Sequence, residues 1–458
     1  MREQLILEMS YKKMVKTAKQ ILRKPFTSEI TYILLGAIIT GLATGFVVSI
    51  FRWLIDRTME GLFIIYPIMG HHLWLLVPYV GLMFVISWLI SRVIKSHIDN
   101  LVGSGVPQIE AVFLNENKMS WWTILWRKFV GGLLAICPGL MLGREGPCIQ
   151  MGAMIGQGVD KNFMHTKKEL SHHLLFQCGI AAGLSAAFSA PLAGVLFLVE
   201  EITFRFKPIE VIAGLIASFC SDWVTLIFFG TTPCLYLPVK GTLPLKYYWI
   251  ILILGVVLGL FGYLYQYCLL SLKPLYSKIT KIPRIYHSII PLLLIIPIGL
   301  WDAKILGGSH VFISSLSTTK FMSLMINNSW EIIFLPLAFF VIRFIFSMIS
   351  YGSSVPGGIF MPILALGALL GAFTATLLIH LNVLPTIYYP HLIVIAMAAY
   401  FGSIEKAPFT AILLLTEMVG SVEQILPMVI TTFIAYYVVD LLGGRPIYEA
   451  LRLQMNYK

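Results

Sequence analysis

Three short segments place chemically capable residues beside backbone that must bend. Gly143-Arg144-Glu145-Gly146-Pro147 puts an ionisable pair at a glycine–proline break inside a long apolar stretch. Gly103-Ser104-Gly105-Val106-Pro107 and Gly357-Gly358-Ile359-Phe360-Met361-Pro362 repeat the pattern of glycine leading into proline. Proline at the first helical turn starts a helix, because its missing N–H is not needed there. A helix N-terminus exposes unpaired N–H groups and the positive end of the helix dipole. Several aimed at one point make an anion site without a full positive charge. Moderate binding of that kind suits transport, since the ion must leave again.

A carboxylate at the start of an intramembrane helix is a functional group by default. The structural alternative, an Arg144–Glu145 ion pair, is poor because sequence neighbours do not face each other on a helix. Glu200-Glu201 close the apolar run 192–199 and meet Arg205 and Lys207. Glu200 reads as a solvated helix end. Glu201 is open between that reading and a second proton-carrying acid, well separated from Glu145. Ser104 or Ser185 could serve an intramembrane hydrolase only with a base, and apart from His380 no histidine in an apolar span stands near either.

The elements holding these segments must lie in a bilayer. Of 458 residues, 58% are hydrophobic without counting glycine, and 12% are charged. Soluble chains have about 25% charged residues, so water cannot be the main solvent here. Disorder, collagen and disulfide-scaffold readings fall at the same step. The net charge of +11 does not form one basic face, which argues against a nucleic-acid partner. Arg2, Lys12, Lys13, Lys16, Lys19, Arg23 and Lys24 gather before the first apolar run, and other cations fill short gaps between runs. That is the positive-inside pattern, placing the N-terminus in the cytoplasm and, through Arg445, Arg452 and Lys458, the C-terminus too. The polar start is no signal peptide. Cys137, Cys148, Cys178, Cys220, Cys234 and Cys268 stand singly and read as small hydrophobes, and adjacent His172 and His173 as a solvated loop, so no metal or other cofactor is expected.

Apolar runs suited to spanning occur at about 31–54, 73–95, 208–230, 247–272, 286–301, 331–350, 387–403 and 423–442. The stretches 121–201 and 352–420 are broken by glycine and proline and read as short helices inside the membrane, tolerated where they line a cavity. The two resemble each other. Lys128-Phe129 and Arg343-Phe344 are 215 positions apart, as are Pro147 and Pro362, each of which begins P-x4-G-A-x-x-G. Ala190-Pro191 and Ala407-Pro408 are 217 apart, and each run ends in glutamate nine residues past its proline, at Glu200 and Glu417. The chain is an internal duplication, and paired broken helices point to a transport site near the midplane. Cytoplasmic termini permit the halves to be inverted.

With GSGVP at 103–107, GREGP at 143–147, GGIFMP at 357–362 and Gly444-Arg445-Pro446-Ile447-Tyr448, the chain resembles the CLC chloride channels and chloride/proton antiporters over nearly its whole length. The resemblance implies an all-α polytopic membrane protein, a CLC-type inverted repeat of tilted, broken and re-entrant helices assembled as a homodimer. Segments follow as a basic cytoplasmic tail at 1–30, repeats at 31–230 and 247–442, and a C-terminal segment at 443–458. Ser104 and Tyr448 would supply hydroxyls to the central anion, beside the backbone N–H groups of Ile359 and Phe360. Gly103, Gly105, Pro107, Gly143, Arg144, Gly146, Pro147, Gly357 and Gly358 would shape the anion-site loops.

Glu145 would be the gating glutamate and Glu201 the inner proton-transfer glutamate of antiporters, which channel members lack. The implied function is secondary exchange of chloride for protons, two anions per proton, with a passive chloride channel of the same fold as the alternative. Serine at 104 resembles chloride-handling members, whereas nitrate-preferring members carry proline. Cys137-Pro138 and Cys148 depart from the family pattern and put the geometry of the preceding helix in question. Ten residues follow Tyr448, so the CBS pair of eukaryotic members is not expected; that fits a bacterial inner-membrane protein.

Overall fold

The computed structural model describes residues 28–164, 169–235, 237, 239, 241–316 and 330–455. The basic tail at 1–27, Lys167, Lys168 and Lys458 lie outside them. The first half contains α1 (Ser28–His71), α2 (Leu76–Ile94), α3 (Val106–Phe113), α4 (Trp121–Ile136), α5 (Glu145–Val159), α6 (Glu169–Phe188), α7 (Pro191–Phe197) and α8 (Pro208–Phe229). The second contains α9 (Tyr248–Leu270), α10 (Ile289–Trp301), α11 (His310–Leu316), α12 (Trp330–Gly352), α13 (Phe360–His380), α14 (Tyr389–Glu405), α15 (Pro408–Val419), α16 (Ile425–Leu441) and α17 (Ile447–Leu453).

Among the described residues, eight helices are long and apolar enough to cross a membrane. They match the sequence expectation with one exchange. The run at 423–442 yields α16, whose 17 residues are shorter than those spans, whereas α13, inside the broken stretch 352–420, runs for 21. Its Pro362 sits in the first turn, where proline costs no hydrogen bond, so the break starts a long helix rather than a short one. The first span also exceeds expectation, because α1 continues through Pro67 to His71 over 44 residues.

Burial sorts the spans. Some 72% of α13 and 89% of the 386–405 span are covered by protein, against 22% for the span beginning at Leu73. The inner helices read as apolar all round because every face meets another helix; the outer ones keep apolar faces exposed. Trp74, Trp122, Trp223, Trp249 and Trp301 stand exposed on that outer surface. Glycines let the inner helices touch by backbone. A Cβ on Gly152 of α5 would collide with the Gly179 carbonyl of α6, and one on Gly179 with that of Gly152.

The repeat partners occupy matching positions. Lys128 is buried in α4 and donates to Leu101 O at 2.9 Å and Gly103 O at 2.7 Å. Arg343 is buried in α12 and donates to the carbonyls of Ile305 and Gly307 and to the Ser309 hydroxyl. Each cation holds, through its donors, a loop whose carbonyls have no helix to bond. Pro138 ends α4 cleanly, since the last helical residue is Ile136. The turn that follows is tied in place by Gly307 N donating to Gly139 O at 2.9 Å.

Candidate ion-pathway site

Three glycine loops meet in the core of the protein. Gly103 N donates to Val355 O at 2.9 Å, and Gly357 N to Gly103 O at 3.1 Å. Gly143 and Gly358 exchange both backbone hydrogen bonds at 2.7 Å. Gly103 and Gly105 adopt φ of +74° and +95°, left-handed backbone that glycine reaches without a Cβ clash. Gly146 lies so close to Ser104 that a Cβ would stand 2.6 Å from the Ser104 Cβ. The starts of α3, α5 and α13 are thereby locked around Ser104, Glu145, Ile359 and Phe360, all buried. Pro107 and Pro147 occupy the first turns of α3 and α5. Phe360 is fixed by Phe401, Phe188 and Phe197, at ring-centre distances of 4.4, 5.4 and 6.0 Å.

Within this junction the Ser104 hydroxyl accepts from Val106 N at 3.3 Å and meets Tyr351. Tyr448 arrives from α17, which packs on α3. Its buried hydroxyl makes no well-formed hydrogen bond among the described residues and lies beside the Glu405 carboxyl. Glu145 opens α5 and is wholly buried, with neither carboxylate oxygen in a well-formed hydrogen bond among the described residues. The His310 imidazole stands beside it, with Nε2 3.5 Å from Glu145 Oε1. Arg144 does not pair with it; the guanidinium reaches Asp56 at 2.5 Å instead, as the poor geometry of sequence neighbours requires.

The two acids at 200 and 201 separate sharply. Glu201 is buried, in the widened turn Leu198–Thr203 that follows α7, and faces Glu405, Glu110, Glu200 and Glu449. Glu200 is not the solvated helix end the sequence suggests. Its carboxylate accepts from Phe409 N at 3.1 Å, and from Thr410 N and Thr410 Oγ1 at 2.7 Å, capping α15. A helix N-terminus left bare in the membrane needs such a partner. His173 is likewise in a helix, α6, with its ring edge-on to Phe113; the side chain of His172 lies outside the described set.

A cavity of about 650 Å3 is lined by Arg52, Asp56, Arg144, Cys234, Lys304 and His310 among others, and His310 links it to Glu145. His310, Glu405 and Glu110 escaped the sequence reading. The signal for His310 was present: Leu306-Gly307-Gly308-Ser309, held by Arg343, parallels Leu101-Val102-Gly103-Ser104, held by Lys128. For Glu405 the only signal was an acid closing the apolar run 387–403.

Residues 81–440 match the family model described as voltage gated chloride channel. The chain is 36% identical over 358 residues to the H(+)/Cl(-) exchange transporter ClcA of Vibrio parahaemolyticus, covering 76% of this chain and 73% of that one. Against ClcA of Klebsiella pneumoniae the identity is 33% over 386 residues, with 81% and 78% covered. A solved slow cyanobacterial Cl-/H+ antiporter superposes with a TM-score of 0.80 at 27% identity, over 92% of this chain and 97% of that one. A CLC-type fluoride/proton antiporter shares the fold, with a TM-score of 0.70 at 20% identity over 91% and 97%. Matched over most of its length by the family model and by these relatives, the chain belongs to the voltage gated chloride channel (CLC) family.

Proposed function

We propose that this protein is a secondary active antiporter that exchanges chloride for protons across the membrane, two anions for each proton. The observation that carries the reading is the pair of buried carboxylates. Glu145 sits among the converging helix starts of α3, α5 and α13, and Glu201, in the turn after α7, is grouped with Glu405 and Glu110 near Tyr448. The names of the relatives point the same way. A passive channel needs a route for the anion only, and has no use for buried acids beyond the gate, each of which costs desolvation.

Chloride binds where backbone N–H groups of Ile359 and Phe360 and the hydroxyls of Ser104 and Tyr448 converge. Glu145 competes with it for donors of the same kind, because an ionised carboxylate and a halide want the same partners. Protonated, Glu145 loses that attraction and leaves the pathway. Glu201 takes and gives the proton on the inner side, with Glu405 beside it; two acids in one buried pocket hold protons in turn, since both cannot ionise cheaply together.

The basic tail puts the start of α1 in the cytoplasm. Asp56 lies 28 residues along α1, about 42 Å at 1.5 Å per residue, so the cavity it lines opens outside. The C-terminus lies in the cytoplasm, the repeats span 31–230 and 247–442, and two copies pair in a bacterial inner membrane with one pathway in each.

Reconstitution in liposomes tests the function. Under opposed chloride and pH gradients, the reversal potential should move with the pH gradient as two anions per proton require. A reversal potential that ignores pH would mean a channel.

A further inference from the structure

We propose that His310 is the outer proton-relay residue, carrying protons between the outer cavity and the Glu145 carboxylate. The proposal rests on the reading of Glu145 as the proton-accepting gate. The geometry is specific: His310 Nε2 stands 3.5 Å from Glu145 Oε1, and Nδ1 stands 3.9 Å from Cys234 Sγ. Glu145 itself is fully buried, whereas the His310 side chain keeps 17% of its surface exposed. The ring therefore bridges a sealed carboxylate and a cavity of about 650 Å3.

The charged neighbours are engaged elsewhere, and Glu60 on the cavity wall pairs with Arg57 at 2.9 Å. Arg144 is engaged by Asp56, and Arg52 donates to Ala186 O and lies over the Phe229 ring at 4.4 Å. Arg343, behind the 305–309 loop, is spent on backbone carbonyls and Ser309. Lys304 and Cys234 line the cavity. Guanidinium and ammonium groups hold their protons too tightly to pass them near neutrality, while imidazole exchanges there. Cations around the ring also make the cavity attractive to chloride but hostile to hydronium, so a fixed carrier matters more than it would in open water.

The step balances within the ring. A proton from cavity water binds Nδ1 of the neutral imidazole, and the Nε2 proton passes to the Glu145 carboxylate, leaving a neutral ring protonated on Nδ1. Outward release runs the same bonds in reverse, and between inward transfers the ring resets by exchange with cavity water, Nε2 taking a proton as Nδ1 gives one up.

The test uses the full chain in liposomes with external pH varied. His310→Ala should slow coupled proton transport by roughly tenfold or more at neutral external pH, in the range of a lost positioned proton carrier. The deficit should shrink as external pH falls and hydronium replaces the relay. External imidazole, which fits the space vacated, should restore the rate. His310→Gln keeps a polar side chain, guards against a folding failure, and should show the same pH-dependent loss. Adding His310→Ala to Glu145→Gln should leave chloride flux unchanged. Wild-type proton flux in both His310 variants would overturn the proposal. So would a deficit that imidazole does not repair and that reappears as lost chloride flux in the Glu145→Gln background. If Glu145→Gln itself transported protons normally, the reading of Glu145 would be what failed.

Discussion

Glu200 and Glu417 cap each other's helices across the repeat boundary. Glu200, just past α7, accepts from the first amides of α15, and Glu417, within α15, accepts from Leu192 N at 3.1 Å and Ala193 N at 2.8 Å at the start of α7. Each acid thus answers the exposed N–H groups and positive dipole end of the helix that carries or precedes its partner. A two-fold relation between the halves makes this closure natural. Glu200→Ala should lower stability by about 1–2 kcal/mol, the upper range for a lost cap. Glu417→Ala should cost less, because Glu200 alone also accepts from the Thr410 hydroxyl. Thermal inactivation of the detergent-solubilised variants would check the order; equal stability to wild type would mean that water caps these ends.

What the sequence disclosed was what is local. Gly103, Gly105, Pro107, Pro147 and Pro362 announce left-handed turns and helix starts through their own backbone chemistry, and the 215-residue spacing of Pro147 and Pro362 announces the duplication. Glu200 was misread for a physical reason. Its partner amides lie 209 and 210 positions away, and no spacing rule reaches that far. His310 and Glu405 were hidden for the same reason. A histidine after Gly-Gly-Ser is unremarkable until α11 packs on α13 and brings it to Glu145.

Glu405 offers a second check on the inner half of the pathway. Its buried carboxyl lies beside Tyr448 and faces Glu201. Glu405→Gln keeps the shape and removes the exchangeable proton. Proton transport should fall several-fold while chloride flux persists, and pH-sensitive dye in the liposome lumen would read it. Unchanged proton flux would make Glu405 a packing residue.

Cys234 reports which side the cavity faces. Burial pushes its thiol up, and the neighbouring His310, Arg52 and Arg144 outweigh that and bring it to about 7. A lowered thiol is thiolate, and so reactive, above that value. A membrane-impermeant methanethiosulfonate applied outside should therefore block transport, faster as pH rises through 7, and Cys234→Ser should be resistant. Block from the inside alone would reverse the assigned topology.

Ser104 carries the anion selectivity in this reading. Ser104→Pro removes a hydroxyl and a backbone donor, and should move preference from chloride toward nitrate in paired flux measurements. Bromide soaked into crystals should give anomalous density between Ser104, Tyr448 and the 359–360 backbone. Density confined to other positions, or an unchanged chloride-to-nitrate ratio, would remove Ser104 from the site.

The two carboxylates on the proton route should fail in different ways. Glu145→Gln cannot ionise, so it mimics a gate that is permanently protonated. Proton coupling should vanish while chloride continues to flow. Glu201→Gln should also stop proton movement, but with Glu145 still able to compete with the anion. Chloride flux should then lose its pH dependence in Glu145→Gln and keep it in Glu201→Gln, rising as the medium is acidified and the gate protonates. The difference follows from position: the Glu145 carboxylate lies at the loop junction beside Gly143, near Gly358 O and Met361 N, whereas Glu201 is grouped with the buried carboxyl groups of Glu405 and Glu110. Flux assays from about pH 4.5, near an ordinary glutamate midpoint, to about pH 7.5, roughly three units above it, would separate the two. If Glu201→Gln retained wild-type proton-driven chloride uptake, the inner proton station would have to lie elsewhere, with Glu405 and Glu110 the buried acids next to it.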